Sequence, residues 1–172
     1  RALAAVRGFH KYLLREGIAD RNPLVRMERS RVWMRLPGAL NRDEMNRLLE
    51  QPVPDRAAGL RDRAMLELMY ATGLRASELI HLKMNDISWQ VGFLSTVGKG
   101  GKGRIVPIGR CAYDCLRRYV EKSRPGLMKK RQSDILFLNR SGQGLTRQGF
   151  WKIVKKYALK AGLTKKVHPH TF

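Results

Sequence analysis

Acidic residues are scarce in this sequence: 14 Asp and Glu stand against 35 Lys and Arg, a formal charge of +21 over 172 residues. A folded chain with that imbalance needs a polyanion nearby, and nucleic acid is the first candidate. On charge alone, acidic membrane or protein surfaces stay open. Cysteine is nearly absent as well. Cys111 and Cys115 are too few for a disulfide framework or a complete metal site, and they point to a reducing compartment. No apolar run approaches the roughly 20 residues that cross a bilayer, so no membrane partner is expected. What is plentiful is apolar residues, 43% of the chain, enough to bury a core and to exclude disorder driven by charge.

Residues 1–16 read as an amphipathic helix, with Leu3, Val6, Phe9 or His10, Leu13 and Leu14 at three- and four-residue steps and Gly17 as its stop. Asn22-Pro23 is a turn signal. The stretch that follows carries Arg26, Arg29, Arg31 and Arg35 without a sustained period, and reads as a basic linker closed by Pro37-Gly38. Asn41 and Glu44 then form a capping-box pattern ahead of Met45, Leu48 and Leu49, and Pro52 and Pro54 end that helix. A further helix is predicted over 60–71, broken by Thr72-Gly73, with helical spacing resuming over 75–82. The period next changes to strands near 87–89, 93–97 and 104–108. Helices return at about 111–121, around 124–131 and at 147–161. The class is α+β: mainly helical, with a small antiparallel sheet. From Lys122 to Lys166 there are 13 basic residues and one acid, Asp134, an excess that favours a nucleic-acid-facing surface over a merely solvated one.

Three constellations carry chemistry. In Ala71-Thr72-Gly73-Leu74-Arg75-Ala76-Ser77-Glu78-Leu79, Arg75 opens a helix and Glu78 lies three residues on. The guanidinium fork suits two phosphate oxygens, and the carboxylate can orient it. Spacing alone favours the plainer alternative, a surface ion pair worth under about 1 kcal/mol. The glycine loop around Lys99 and Lys102 is not a P-loop, because strands flank it. By itself it reads as a solvated hairpin. His168-Pro169-His170 has no Cys, Asp or Glu near it in sequence to complete a metal set, so no metal is assigned there.

Taken in order and spacing, the string Ala71 to Leu79, the loop Gly98-Lys99-Gly100 with Arg104-Ile105-Val106-Pro107-Ile108, and His168-Pro169-His170-Thr171 resemble the tyrosine recombinases of the phage integrase family, most closely the bacterial Xer type. The resemblance implies a helical core-binding domain whose last helix ends in residues 1–28, a linker over 29–37, and a catalytic domain over 38–172. It implies DNA cleavage and rejoining through a 3′-phosphotyrosine, with no metal or nucleotide cofactor. The implied catalytic residues are Arg75, Lys99 and His170, with Glu78 in support; Lys99 protonates the departing 5′-oxygen. Backbone contacts are expected from Arg29, Arg31, Lys102, Arg104, Arg147, Lys152, Lys155 and Lys156. The partners implied are duplex DNA and further copies of the chain or a paralogue, tetrameric on DNA, in the bacterial cytoplasm at the nucleoid.

The family's second arginine would fall three residues after His170, and its tyrosine nucleophile further on. Neither is found in this sequence, which opens on Arg1 and stops at Phe172, so a piece of a longer protein is expected, one that binds DNA without cleaving it. Tyr113, Tyr119 and Tyr157 precede His170 within helices and are not nominated. Two rivals remain: a non-catalytic DNA-binding relative, and a basic RNA-binding protein. Against the second, no aromatic-rich strand motif is present, with Phe93 the single weak match.

Overall fold

The structure is a computed structural model that describes residues 2–21, 23, 24, 39–97, 103–129, 132–165 and 167. The chain divides into two compact units, Arg1–Arg35 and Leu36–Phe172. In the first unit, helix α1 (Ala2–Arg15) ends on Gly17 at φ +69°, where Gly17 N–H bonds Leu14 and Ile18 N–H bonds Leu13. These are the paired closing bonds of a glycine-terminated helix. Within this unit Val6, Phe9 and Tyr12 stay exposed.

The second unit begins with α2 (Arg42–Glu50). Its capping box is complete: the Asn41 side chain accepts from Glu44 N–H at 2.8 Å, and Glu44 accepts from Asn41 N–H at 2.8 Å. Helix α3 (Ala57–Thr72) follows, longer at both ends than the 60–71 expected. It is buried on nearly every side, including Arg61, Asp62 and Glu67, so its apolar positions show no single face. Gly73 stops it in the left-handed region, with its N–H on Met69, and α4 (Ala76–His81) restarts the helix after Arg75.

A single three-stranded antiparallel sheet comes next, in the order β1 (Ile87–Ser88), β2 (Phe93–Val97), β3 (Gly103–Pro107). The register pairs Leu94 with Val106 and Thr96 with Arg104. Directly opposed residues share a sheet face, so Arg104 projects on the side of buried Leu94 and Thr96. Helix α5 (Arg110–Lys122) packs most extensively against α3, burying Ala112, Leu116 and Tyr119. Helix α6 (Arg124–Met128) is shorter than the 124–131 expected.

Residues 132–146 carry no helix or regular strand, yet Leu136, Phe137 and Leu138 are fully buried. Arg124 explains how: itself buried, it donates to the carbonyls of Ser133 (2.6 Å), Ile135 (2.7 Å) and Leu136 (3.1 Å). Backbone carbonyls without ladder partners are thereby satisfied away from water. Helix α7 (Arg147–Lys160) starts on Thr146, whose hydroxyl accepts from Gly149 N–H at 3.0 Å, and buries Phe150, Val154, Tyr157 and Ala158.

Candidate phosphate-binding site

Three donors from two segments converge on one carboxylate. Glu78 sits three residues into α4, where its position matches the helix start, and its side chain is only 9% exposed. One oxygen accepts from the Arg75 guanidinium at 2.8 Å. The other accepts from Arg75 backbone N–H at 2.9 Å and from the Arg104 guanidinium, carried by β3, at 3.0 Å. Burial alone would push the Glu78 carboxyl up. The bonds from Arg75 and the charges of Arg104 and Arg75 outweigh it, and the group lies below the usual carboxylate value.

The arrangement does more than the i,i+3 pair readable from spacing. Arg75 remains 56% and Arg104 42% exposed, so each keeps donors facing outward while one end is tethered. Two guanidiniums tethered to one nearly buried carboxylate carry a local charge of +1 and stay partly exposed, an arrangement suited to binding a tetrahedral oxyanion such as phosphate. Leu74, 2% exposed, anchors the turn into the core, and Gly73 at φ +60° permits it. The site therefore rests on the rigid end of α3 and not on a free loop.

The sequence assigns Arg104 to the DNA backbone; the structure also ties it to Arg75 through Glu78. The available signal is its place on a strand just beyond the glycine loop. Lys99, Lys102, His170, Arg29 and Arg31 lie outside the described residues. On α7, Lys152, Lys155, Lys156 and Lys160 are exposed, Lys152 and Lys155 on the face away from Phe150, Val154 and Tyr157 and the other two flanking Tyr157, and Arg147 is exposed in its first turn. Lys156 also lies over the Tyr157 ring, 4.9 Å from its centre.

The basic run from Lys122 to Lys166 is not uniformly available. Arg124 is a core residue, as above, and Lys165 is paired to Glu44 at 2.8 Å. The three tyrosines set aside on sequence are structural. Tyr113 donates to Trp89 carbonyl at 2.6 Å, Tyr119 to Leu136 carbonyl at 3.0 Å, and Tyr157 to Asp62 at 2.9 Å. Among the described residues, no cluster of three metal-ligating side chains occurs at Glu78.

Comparison with known proteins bears directly on this geometry. Residues 39–172 match the model of the phage integrase family. Tyrosine recombinase XerD of Listeria innocua is 46% identical over 172 residues, 99% of this chain and 58% of that protein. The XerD of Halalkalibacterium halodurans is 46% identical over 171 residues, 99% of this chain and 57% of that protein. The chain thus spans a little over half the length of these relatives. Among solved structures, the XerA recombinase superposes with a TM-score of 0.66 at 28% identity, covering 78% of this chain and 47% of that one. XerH bound to its difH substrate gives 0.67 at 24%, covering 83% and 42%, a likeness of fold. With the family's model spanning the helices and the sheet that gather Arg75, Glu78 and Arg104, the chain belongs to the phage integrase family.

Proposed function

We propose that the protein carrying this chain is a site-specific DNA recombinase, and that this stretch supplies the phosphate-binding part of its active site. The observation that carries the reading is the Arg75–Glu78–Arg104 cluster inside the span matched by the family. A phosphodiester under in-line attack concentrates negative charge on its non-bridging oxygens. A guanidinium held in place before the reaction stabilises that charge more than it does the ground state. Arg75 takes this role and Glu78 holds it. Lys99 as the proton donor to the leaving 5′-oxygen, and His170 as a second donor to the phosphate, rest on the sequence resemblance. No metal or nucleotide is assigned a part. No tyrosine follows His170 in these 172 residues, so this stretch is not assigned the nucleophile.

Residues 1–28 are proposed to end a helical DNA-binding domain, 29–37 to link it, and 38–172 to form the catalytic domain. The exposed lysines of α7 with Arg147, and Arg29, Arg31 and Lys102, would grip the backbone without sequence preference. Duplex DNA is the substrate, in the bacterial cytoplasm. Among the described residues no helix is long and apolar enough to cross a membrane. Assembly with further copies or a paralogue is proposed by analogy with lambda integrase, solved as a tetramer on a Holliday junction at a TM-score of 0.66 and 17% identity.

The test uses the full-length protein on a nicked suicide substrate. Arg75→Ala should abolish covalent protein–DNA adducts, by roughly 10²–10³-fold or more as for other lost oxyanion donors. DNA affinity should fall far less, because many other phosphates stay neutralised. Adduct formation at the wild-type rate would overturn the assignment.

A further inference from the structure

A second group of chemistry-bearing side chains lies between α3 and α5, and the DNA reading makes no use of it. Helix α3 contributes the buried Glu67, and α5 contributes Cys111 and Cys115. A carboxylate oxygen and the two Sγ atoms all lie within 4.8 Å of one another. We propose that these three side chains form a site for a thiophilic divalent cation of the Zn²⁺ class, with a fourth position left for water.

The spacing suits the task. Residues four apart lie one above the other on a helix face, so Cys111 and Cys115 present both sulfurs to the same side of α5. Zn–S bonds of about 2.3 Å put tetrahedral donors about 3.8 Å apart, so the three need close by only about 1 Å. Cys111 is exposed. Glu67 is already aimed: Arg63 Nη2 holds it at 2.7 Å, and Arg63 Nη1 is anchored on the Leu49 carbonyl. A ligating carboxylate is usually itself hydrogen-bonded to an outer partner, the place Arg63 takes.

Charge closes as well. Two thiolates and a carboxylate carry −3, the ion +2 and Arg63 +1, leaving the site neutral. Thiolate ligation displaces the protons of both thiols, so binding releases protons. A cavity of about 370 Å³, lined by Glu67, Cys111, Arg63, Glu50 and Tyr70, opens beside the group and gives water and ion a path. Counting donors along the chain finds only two cysteines, because the third ligand comes from another helix.

The test titrates the reduced, metal-free chain with Cd²⁺, read by thiolate-to-metal ultraviolet absorption, and with Zn²⁺ against a chromophoric chelator. One ion per chain should bind, raising the melting temperature by roughly 5–10 °C at a hundredfold excess over Kd. Cys111→Ser and Cys115→Ser should each weaken binding by roughly 100-fold, and Glu67→Gln by about 10-fold or more. Far-ultraviolet dichroism verifies that each variant folds. No saturable absorption, affinity unchanged in folded Glu67→Gln, or binding that persists in the Cys111→Ser/Cys115→Ser double variant would overturn the site.

Discussion

Removing one oxygen from Tyr157 is expected to destabilise the fold by about 1.5–3 kcal/mol, the worth of a hydrogen bond to a charged group. The hydroxyl donates to Asp62 Oδ2 at 2.9 Å, and Asp62 Oδ1 accepts from Arg61 Nε at 2.9 Å and Nη2 at 2.6 Å. Arg61 also donates to the Leu138 carbonyl at 3.0 Å, so the network ties α3 to α7 and to the irregular segment. Asp62 is 2% and Arg61 6% exposed, so water replaces none of these bonds when one is removed. Tyr157→Phe leaves one carboxylate oxygen without its donor. Asp62→Ala does more harm, about 3–5 kcal/mol, because it strands the Arg61 charge inside the protein. In the double variant no buried hydroxyl is left without an acceptor, so its cost should be no more than that of Asp62→Ala alone. Urea unfolding followed by far-ultraviolet dichroism reads all three, as midpoint shifts at constant slope. Burial, then the Asp62 charge and hydrogen bond, hold the Tyr157 hydroxyl far above its ordinary pKa, so it stays a neutral donor. Tyr157→Phe in the full-length protein should therefore still form covalent adducts with DNA. A cost below about 0.5 kcal/mol, or single-variant costs that simply add, would refute the network; loss of adducts in a folded variant would refute its purely structural role.

Glu78→Gln should change the pH dependence of stability. The folded carboxyl lies below its ordinary value of 4.5, so its contribution is complete above that pH and is lost as pH falls through the folded value. The gap between wild type and variant should close on acidification; a gap constant from about pH 7 to about pH 3 would contradict the linkage. Replacing Lys152 and Lys155 with Ala should reduce the slope of log K for duplex DNA against log salt by about 0.9 for each phosphate no longer neutralised. An unchanged slope in fluorescence anisotropy would remove α7 from the interface. Gly73→Ala should cost about 1 kcal/mol by thermal unfolding, and Asn less. An added Cβ would meet no atom within 4 Å, so the whole effect is the φ of +60°, and stabilisation by Ala would contradict that backbone.

Interactions that close within three or four residues were legible from the chain. Asn41 with Glu44 and Arg75 with Glu78 need only a helix turn to meet, so residue type and spacing sufficed. Long-range placement was not legible. Arg104 reaches Glu78 from 26 residues away, and Tyr157 reaches Asp62 from 95, because a hairpin and a helix packing decide where those side chains end. Arg61 and Arg124 counted only as positive charge until burial supplied their carbonyl and carboxylate partners. Residues 132–146 form no regular strand to read, since their backbone is satisfied by isolated bridges, among them Lys83 with Ile135, and by the Arg124 side chain. The sequence by itself determined the basic character, the capped start of α2, the glycine stop of α3, and one half of the candidate site. Only the tertiary structure decided which cations face solvent, because that depends on which carboxylates and carbonyls the packing brings to them.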